Sequence, residues 1–248
     1  MKYDKKDRQA IGSLSVSARR MFDVLEKNEQ GEFLAAEELC SALNVGCQFV
    51  SFSCLLGVGS EQRLGTDLGG LFLGRIKKTF VSLIEELKVL GYQNGLKVIL
   101  DDYEPHRVWQ WSITQEEVTL WYQMVIEENK DQIPEGWQIQ LWSEIENKSG
   151  VCYEQMLEMV GGQDYALLVH QQLEHMKKFP NKKLLGNVRD AVLRRIAEYS
   201  LQGKVLEELF PNAILMQTET PWRVKDALYS PSRRVSLPII HPYPEERR

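Results

Sequence analysis

The feature that most constrains this chain is an alternation. Short runs rich in β-branched, aromatic and leucine residues are each followed by a long segment whose apolar residues recur at helical spacing. QFVSFSCLL (48–56), GLKVILDD (95–102), WQIQLWSEIE (137–146) and NAILMQTE (212–219) read as strands. LFLGRIKKTFVSLIEELKVLGY (71–92), ITQEEVTLWYQMVIEENKDQI (113–133), QDYALLVHQQLEHMKKF (163–179) and NVRDAVLRRIAEYSLQGKVLEELF (187–210) read as helices. Leu73, Ile76, Phe80, Leu83, Ile84 and Leu87 return every three to four residues, and Thr114 with Glu117 fits a capping box. Val188, Val192, Ile196, Tyr199, Gly203 and Leu206 share a face of the last helix, with Glu198 on its flank. Strands joined through helices lie parallel, and right-handed crossovers cover both faces of the sheet. The expected fold is therefore α/β, an open and mostly parallel sheet between two helical layers.

Two short helical patterns, SLSVSARRMFDVLEKN (13–28) and LAAEELCSAL (34–43), precede the first strand. They suggest a helical extension over residues 1–44, followed by an α/β domain over 45–248. No third, basic helix follows them, so a cap on the main domain is preferred over a winged helix-turn-helix. Near the other end, residues 236–240 suit an edge strand, where Pro238 is tolerated.

Composition removes several function classes. Hydrophobic residues make up 43% and charged residues 26%, as in globular proteins, and the formal net charge of −5 gives no overall attraction for polyanions. The charged start, MKYDKKDRQAIG, lacks the apolar core of a signal peptide, and no run approaches a membrane span. Cys40, Cys47, Cys54 and Cys152 form no CxxC pair. A reduced, cytoplasmic protein without a cysteine-based metal site is expected.

Open parallel sheets bind ligands beyond the carboxyl ends of their strands, so the polar residues that end the strands are the candidate substrate-binding groups. The second strand runs into Asp101, Asp102, Glu104 and His106, and the last into Gln217 and Glu219. Carboxylates there can hold an amine, a ribose or a divalent ion, or can belong to a solvated loop. His241, between Pro238 and Pro242, can return to the same rim. The segment GVGSEQRLGTDLGG (57–70) is rich in glycine but matches neither GxxxxGK[ST] nor GxGxxG, so it reads as an exposed or substrate-covering loop. Trp109, Trp111, Trp142 and Trp222 lie near strand ends and can wall an apolar pocket or simply pack the core. Arg194 and Glu198, four apart, fit a weak surface pair. Lys177, Lys178, Lys182, Lys183, Arg189 and Arg195 form a basic stretch that can grip RNA phosphates or serve as a solvated face.

The block RDAVLRRIAEYSLQGKVLEELFPNAILMQTETPW (189–222) resembles the tRNA-dependent cyclodipeptide synthases in the order of its features. That resemblance implies a Rossmann-like domain similar to the catalytic domain of class I aminoacyl-tRNA synthetases. It also implies a cyclic dipeptide made from two aminoacyl-tRNAs through an aminoacyl-enzyme on a serine. Glu198 stands at the family's glutamate position. Arg194 and Gln217 stand where the family has tyrosines. The nucleophile position falls to Ser53 or Ser60, and Tyr199 joins the catalytic candidates. The same layout is similar to the isocyanide synthases, which act on a free aromatic amino acid with a pentose phosphate. The resulting expectation is an amino-acid-processing synthase or transferase, using aminoacyl-tRNA or a free amino acid and no resident cofactor. The alternative is a non-catalytic RNA-binding or protein-interaction module on an enzyme-like fold.

Overall fold

A computed structural model describes residues 3–28, 36–53, 66–103, 106–107, 113–161, 170, 186–218 and 234–237. Three helices come first, α1 (Lys5–Gly12), α2 (Val16–Asn28) and α3 (Ala36–Val45). Then follow β1 (Gln48–Ser53), α4 (Thr66–Val89), β2 (Lys97–Leu100), α5 (Gln115–Glu128), β3 (Gln138–Leu141), α6 (Trp142–Glu146), α7 (Tyr153–Gly161), α8 (Val188–Leu209), β4 (Ala213–Thr218) and β5 (Arg234–Leu237). The five strands form one sheet in the order β3-β2-β1-β4-β5, and every pairing is parallel. The fold is α/β and Rossmann-like, as the alternation of strand and helix implies.

Strand alternation divides the core in two. Phe49, Val98, Leu100, Ile214 and Met216 face a layer built by α2, α3, α4 and α5, with Phe22, Leu39, Phe80, Ile84 and Tyr122 packed against them. Val50, Ile99 and Leu215 face the other way, onto Trp142, Tyr153, Met156, Ile196 and Val205 of α6, α7 and α8. Side chains two apart on a strand share a face, so one short apolar run serves both layers. Residues 5–45 add Ile11, Phe22, Leu25 and Leu39 to the first layer's core. The helices before β1 are thus packed on the sheet.

Several boundaries differ from the sequence expectation. The third strand ends at Leu141, and Trp142–Glu146 is helical rather than extended. Helix α4 begins at Thr66, so Gly69 and Gly70 belong to its first turns and not to a glycine loop. The charged opening of the chain forms α1, capped by the Asp4 carboxylate accepting from the Asp7 amide at 2.9 Å. The capping box at Thr114 is present with both of its bonds. The edge strand covers Arg234–Leu237, two residues earlier than its pattern suggests. The helical reading of 163–179 lies outside the described residues.

Gly95 fixes how β2 and β3 enter the sheet. A Cβ there would stand 2.2 Å from the carbonyl oxygen of Gly136, so only glycine lets these two backbones approach. Among the described residues no helix is long and apolar enough to cross a membrane.

Candidate functional site

Parallel pairing puts all strand carboxyl ends on one edge. Ser53 at the end of β1 is level with Leu100, one residue before Asp101, and Gln217 near the end of β4 is level with Ser236. Helix α8 returns toward the amino edge, so Glu198 lies one turn nearer the rim than Gln202.

The two adjacent aspartates part company at this rim. Asp102 turns to the α5 side and is fully buried. Its Oδ1 accepts from the Ser143 amide at 3.0 Å, and its Oδ2 accepts from the Ser143 hydroxyl at 2.7 Å and the Thr119 hydroxyl at 2.8 Å. Its carbonyl accepts from the Gln115 amide side chain at 2.7 Å. Asp102 therefore clasps β2 to α5 and the start of α6. Asp101 turns to the α8 side, where its Oδ2 accepts from Gln202 Nε2 at 2.7 Å and its Oδ1 from the Tyr103 amide at 3.1 Å.

Beyond Asp101 lies an ionic cluster centred on Arg107. Its Nη1 donates to Glu198 Oε2 at 2.6 Å and its Nη2 to Glu146 Oε1 at 2.8 Å. The guanidinium is flanked by two rings, Tyr103 at 4.4 Å and Tyr153 at 4.1 Å from its carbon to the ring centroids. The Arg107 side chain is 16% exposed, Glu146 10% and Glu198 not at all. Gln202 Nε2 also reaches Glu198 Oε1, at 3.4 Å.

The electrostatics follow from burial and crowding of like charge. Burial first, and then the negative charge of Asp101, push the Glu198 carboxyl well above the usual carboxylate range, with Arg107 pulling the other way. Burial works against the charge of Arg107, but Glu198 and Glu146 more than offset it and hold the guanidinium cationic. Burial and then Glu198 raise the Tyr153 phenol, and burial followed by Glu146 and Asp102 raise Tyr103. Both phenols are neutral donors or acceptors near neutral pH. Among the described residues no group of three His, Cys, Asp or Glu side chains converges as a metal site would require.

The structure brings together Asp101 and Glu198 from the sequence candidates, with Tyr199 in the core beneath α8. Glu198 is a correction to the sequence reading. It is buried rather than on a surface flank, and its ion-pair partner lies 91 residues away. Asp102 is placed as a clasp on the opposite face. His106 sits half-buried beside Arg107, its amide donating to the Tyr103 carbonyl at 3.0 Å. Arg194 is half-buried on α8 and its carbonyl accepts from the Tyr153 hydroxyl at 3.4 Å. Arg189 is exposed and Arg195 half-buried on the same helix. Ser53 and Gln217 are placed by their backbones only. Ser60, Glu104, Glu219, His241, Lys177, Lys178, Lys182, Lys183, Trp109, Trp111 and Trp222 lie outside the described residues. Trp142 is fully buried and packs the second core.

Sequence reasoning missed Arg107, Glu146, Tyr153 and Gln202. The available signal was an arginine directly after the acidic run that ends β2. Gln202, four residues after Glu198, was a second signal.

No family model and no curated protein matches this chain. Solved structures do. A tyrosyl-tRNA synthetase from Archaeoglobus fulgidus, crystallised with L-tyrosine, is similar with a TM-score of 0.54 and 14% identity over 90% of this chain. This chain spans 65% of that synthetase chain, less than two thirds of its length. The PvcA protein from Pseudomonas aeruginosa aligns with a TM-score of 0.43 and 13% identity over 95% of this chain and 84% of its own. At this identity the synthetase likeness establishes the fold alone.

Proposed function

We propose that this chain is an amino-acid-processing synthase or transferase that binds its amino-acid substrate at the carboxyl rim of the sheet, on the α8 side. The observation that carries this reading is the Asp101–Glu198–Glu146 cluster. Two carboxylates, Glu198 and Glu146, hold one guanidinium, and a third, Asp101, lies close enough to Glu198 to raise its carboxyl, in a region mostly closed to water. Crowding acids together away from water is costly, and Glu198 shows that cost in its raised carboxyl. An α-ammonium group is a cation that such an acidic field attracts. Tyr103 and Tyr153 add aromatic surface and hydroxyls next to it. The synthetase neighbour's tyrosine supports the substrate class by analogy of fold, which is a weaker ground than the cluster. Aminoacyl-tRNA and a free aromatic amino acid are both compatible donors, and Ser53 and Ser60 are the proposed nucleophiles for a covalent route.

Two measurements test the proposal. Calorimetric titration with the free aromatic amino acids should give saturable binding that weakens in Glu198→Gln. Intact-mass spectrometry after incubation with a mixture of aminoacyl-tRNAs should show an aminoacyl adduct if the covalent route operates. Absence of both binding and adduct removes the amino-acid reading and returns the chain to an interaction module.

A further inference from the structure

The hydrogen-bond capacity of the cluster is nearly spent. Asp101 uses Oδ1 on the Tyr103 amide and Oδ2 on Gln202. Glu198 uses Oε2 on Arg107, and its Oε1 is approached by Gln202. Glu146 uses Oε1 on Arg107. One carboxylate oxygen, Glu146 Oε2, is buried and has no hydrogen-bond partner. Its side chain is nine-tenths buried, at 10% exposure. A carboxylate oxygen shut from water without a donor is unfavourable, and natural structures rarely leave one so unless something else meets it.

We infer that Glu146 Oε2 receives the ammonium group of the ligand, so that Glu146, and not Glu198, is the direct amine-binding carboxylate. This rests on the amino-acid reading above and names the group that would do the recognising. Glu198 is the less suitable seat because its Oε2 is already held at 2.6 Å by a guanidinium that would have to be displaced. Glu146 can accept a second donor without breaking a bond, since Arg107 occupies only its other oxygen. α6 starts directly after β3, so Glu146 lies just beyond the carboxyl edge of the sheet. A primary ammonium fits better than a metal ion. It needs few strong acceptors, whereas among the described residues no three His, Cys, Asp or Glu side chains converge to hold a metal ion. Arg107 then serves as a positioning residue, fixing the Glu146 carboxylate through Nη2 while it neutralises Glu198 through Nη1.

The test compares tyramine, which keeps the ammonium, with 3-(4-hydroxyphenyl)propionate, which lacks it, on the full chain by calorimetry. Wild type should prefer tyramine. Glu146→Gln keeps an oxygen for Arg107 but removes the negative charge, and should cut that preference about tenfold or more. A general loss of packing would weaken both ligands together and leave the ratio unchanged. A wild-type preference that persists undiminished in Glu146→Gln overturns the assignment, leaves the amino-acid reading standing and makes an ordered water the partner of Oε2. Absence of tyramine binding to wild type overturns the assignment, and the amino-acid reading falls with it only if the free aromatic amino acids and the aminoacyl adduct are absent as well. Glu146→Asp, which retains charge but retracts it, should fall between wild type and Glu146→Gln in the tyramine preference. An aspartate that selects more weakly than the glutamine also counts against the assignment.

Discussion

Asp101 and Asp102 are neighbours in sequence and opposites in the fold. Asp102 faces α5 and meets only neutral donors, the Ser143 amide and hydroxyl and the Thr119 hydroxyl, which fill both its oxygens. Asp101 faces α8 and enters a cluster where Glu198 and Glu146 share one arginine. A carboxylate held by neutral dipoles is a clasp, because nothing in its surroundings calls for a further ion. A carboxylate among other carboxylates leaves a field that another cation can answer. Burial alone does not distinguish the two sites, since both aspartates are buried. The charge and identity of their partners do.

That contrast can be broken experimentally. The largest effect is expected from Arg107→Met, which strips Glu198 and Glu146 of their shared cation and leaves a fully buried carboxylate unpaired. We expect a loss of about 3–5 kcal/mol in urea unfolding at pH 8, partly recovered by adding Glu198→Gln. A double variant no more stable than Arg107→Met would show that the arginine acts by packing between Tyr103 and Tyr153 rather than by charge. Next comes Asp102→Ala, which abandons three side-chain acceptor bonds at once. It should cost about 2–3 kcal/mol while leaving tyramine affinity at the wild-type level. A change in ligand affinity without loss of stability would reverse the roles assigned to the two faces.

The pH dependence of stability sharpens the comparison further. The raised pKa of Glu198 means that the folded protein holds this proton more tightly than the unfolded chain. Its stabilising contribution is complete below the ordinary carboxylate range and is lost as pH rises through the raised value. Glu198→Gln should therefore flatten the decline of stability toward neutral pH, as followed by denaturant melts at a series of pH values. An unchanged slope would place the titration elsewhere. The smallest effect is expected from Thr119→Val, which removes one of the bonds to Asp102 and keeps the shape. About 1 kcal/mol should be lost, with no change in the slope against pH.

The layers of the fold were legible because strand and helix periods are local properties. Phe49 and Val50, or Val98 and Ile99, alternate between faces by geometry alone, and each pair divides between the two cores. The capping box at Thr114 was legible for the same reason. The end of the third strand was not. WSEIE carries tryptophan and isoleucine, which suit either structure, and the turn into α6 is accompanied by the Asp102–Ser143 bonds from another strand. The rim was legible as a place, since Asp101 and Asp102 close β2. Its chemistry was not, because Arg107 reaches Glu198 across 91 residues and Glu146 across 39.

The sequence by itself determined a parallel sheet between helical layers and the polar character of its carboxyl edge, because both arise from periodicities of two and 3.6 residues. Only the tertiary structure decided which acids share a cation, which are tied down by neutral donors and which oxygen is left open. Those outcomes depend on distances between segments far apart in the chain, and Coulombic and hydrogen-bonding energies respond to such distances rather than to residue order.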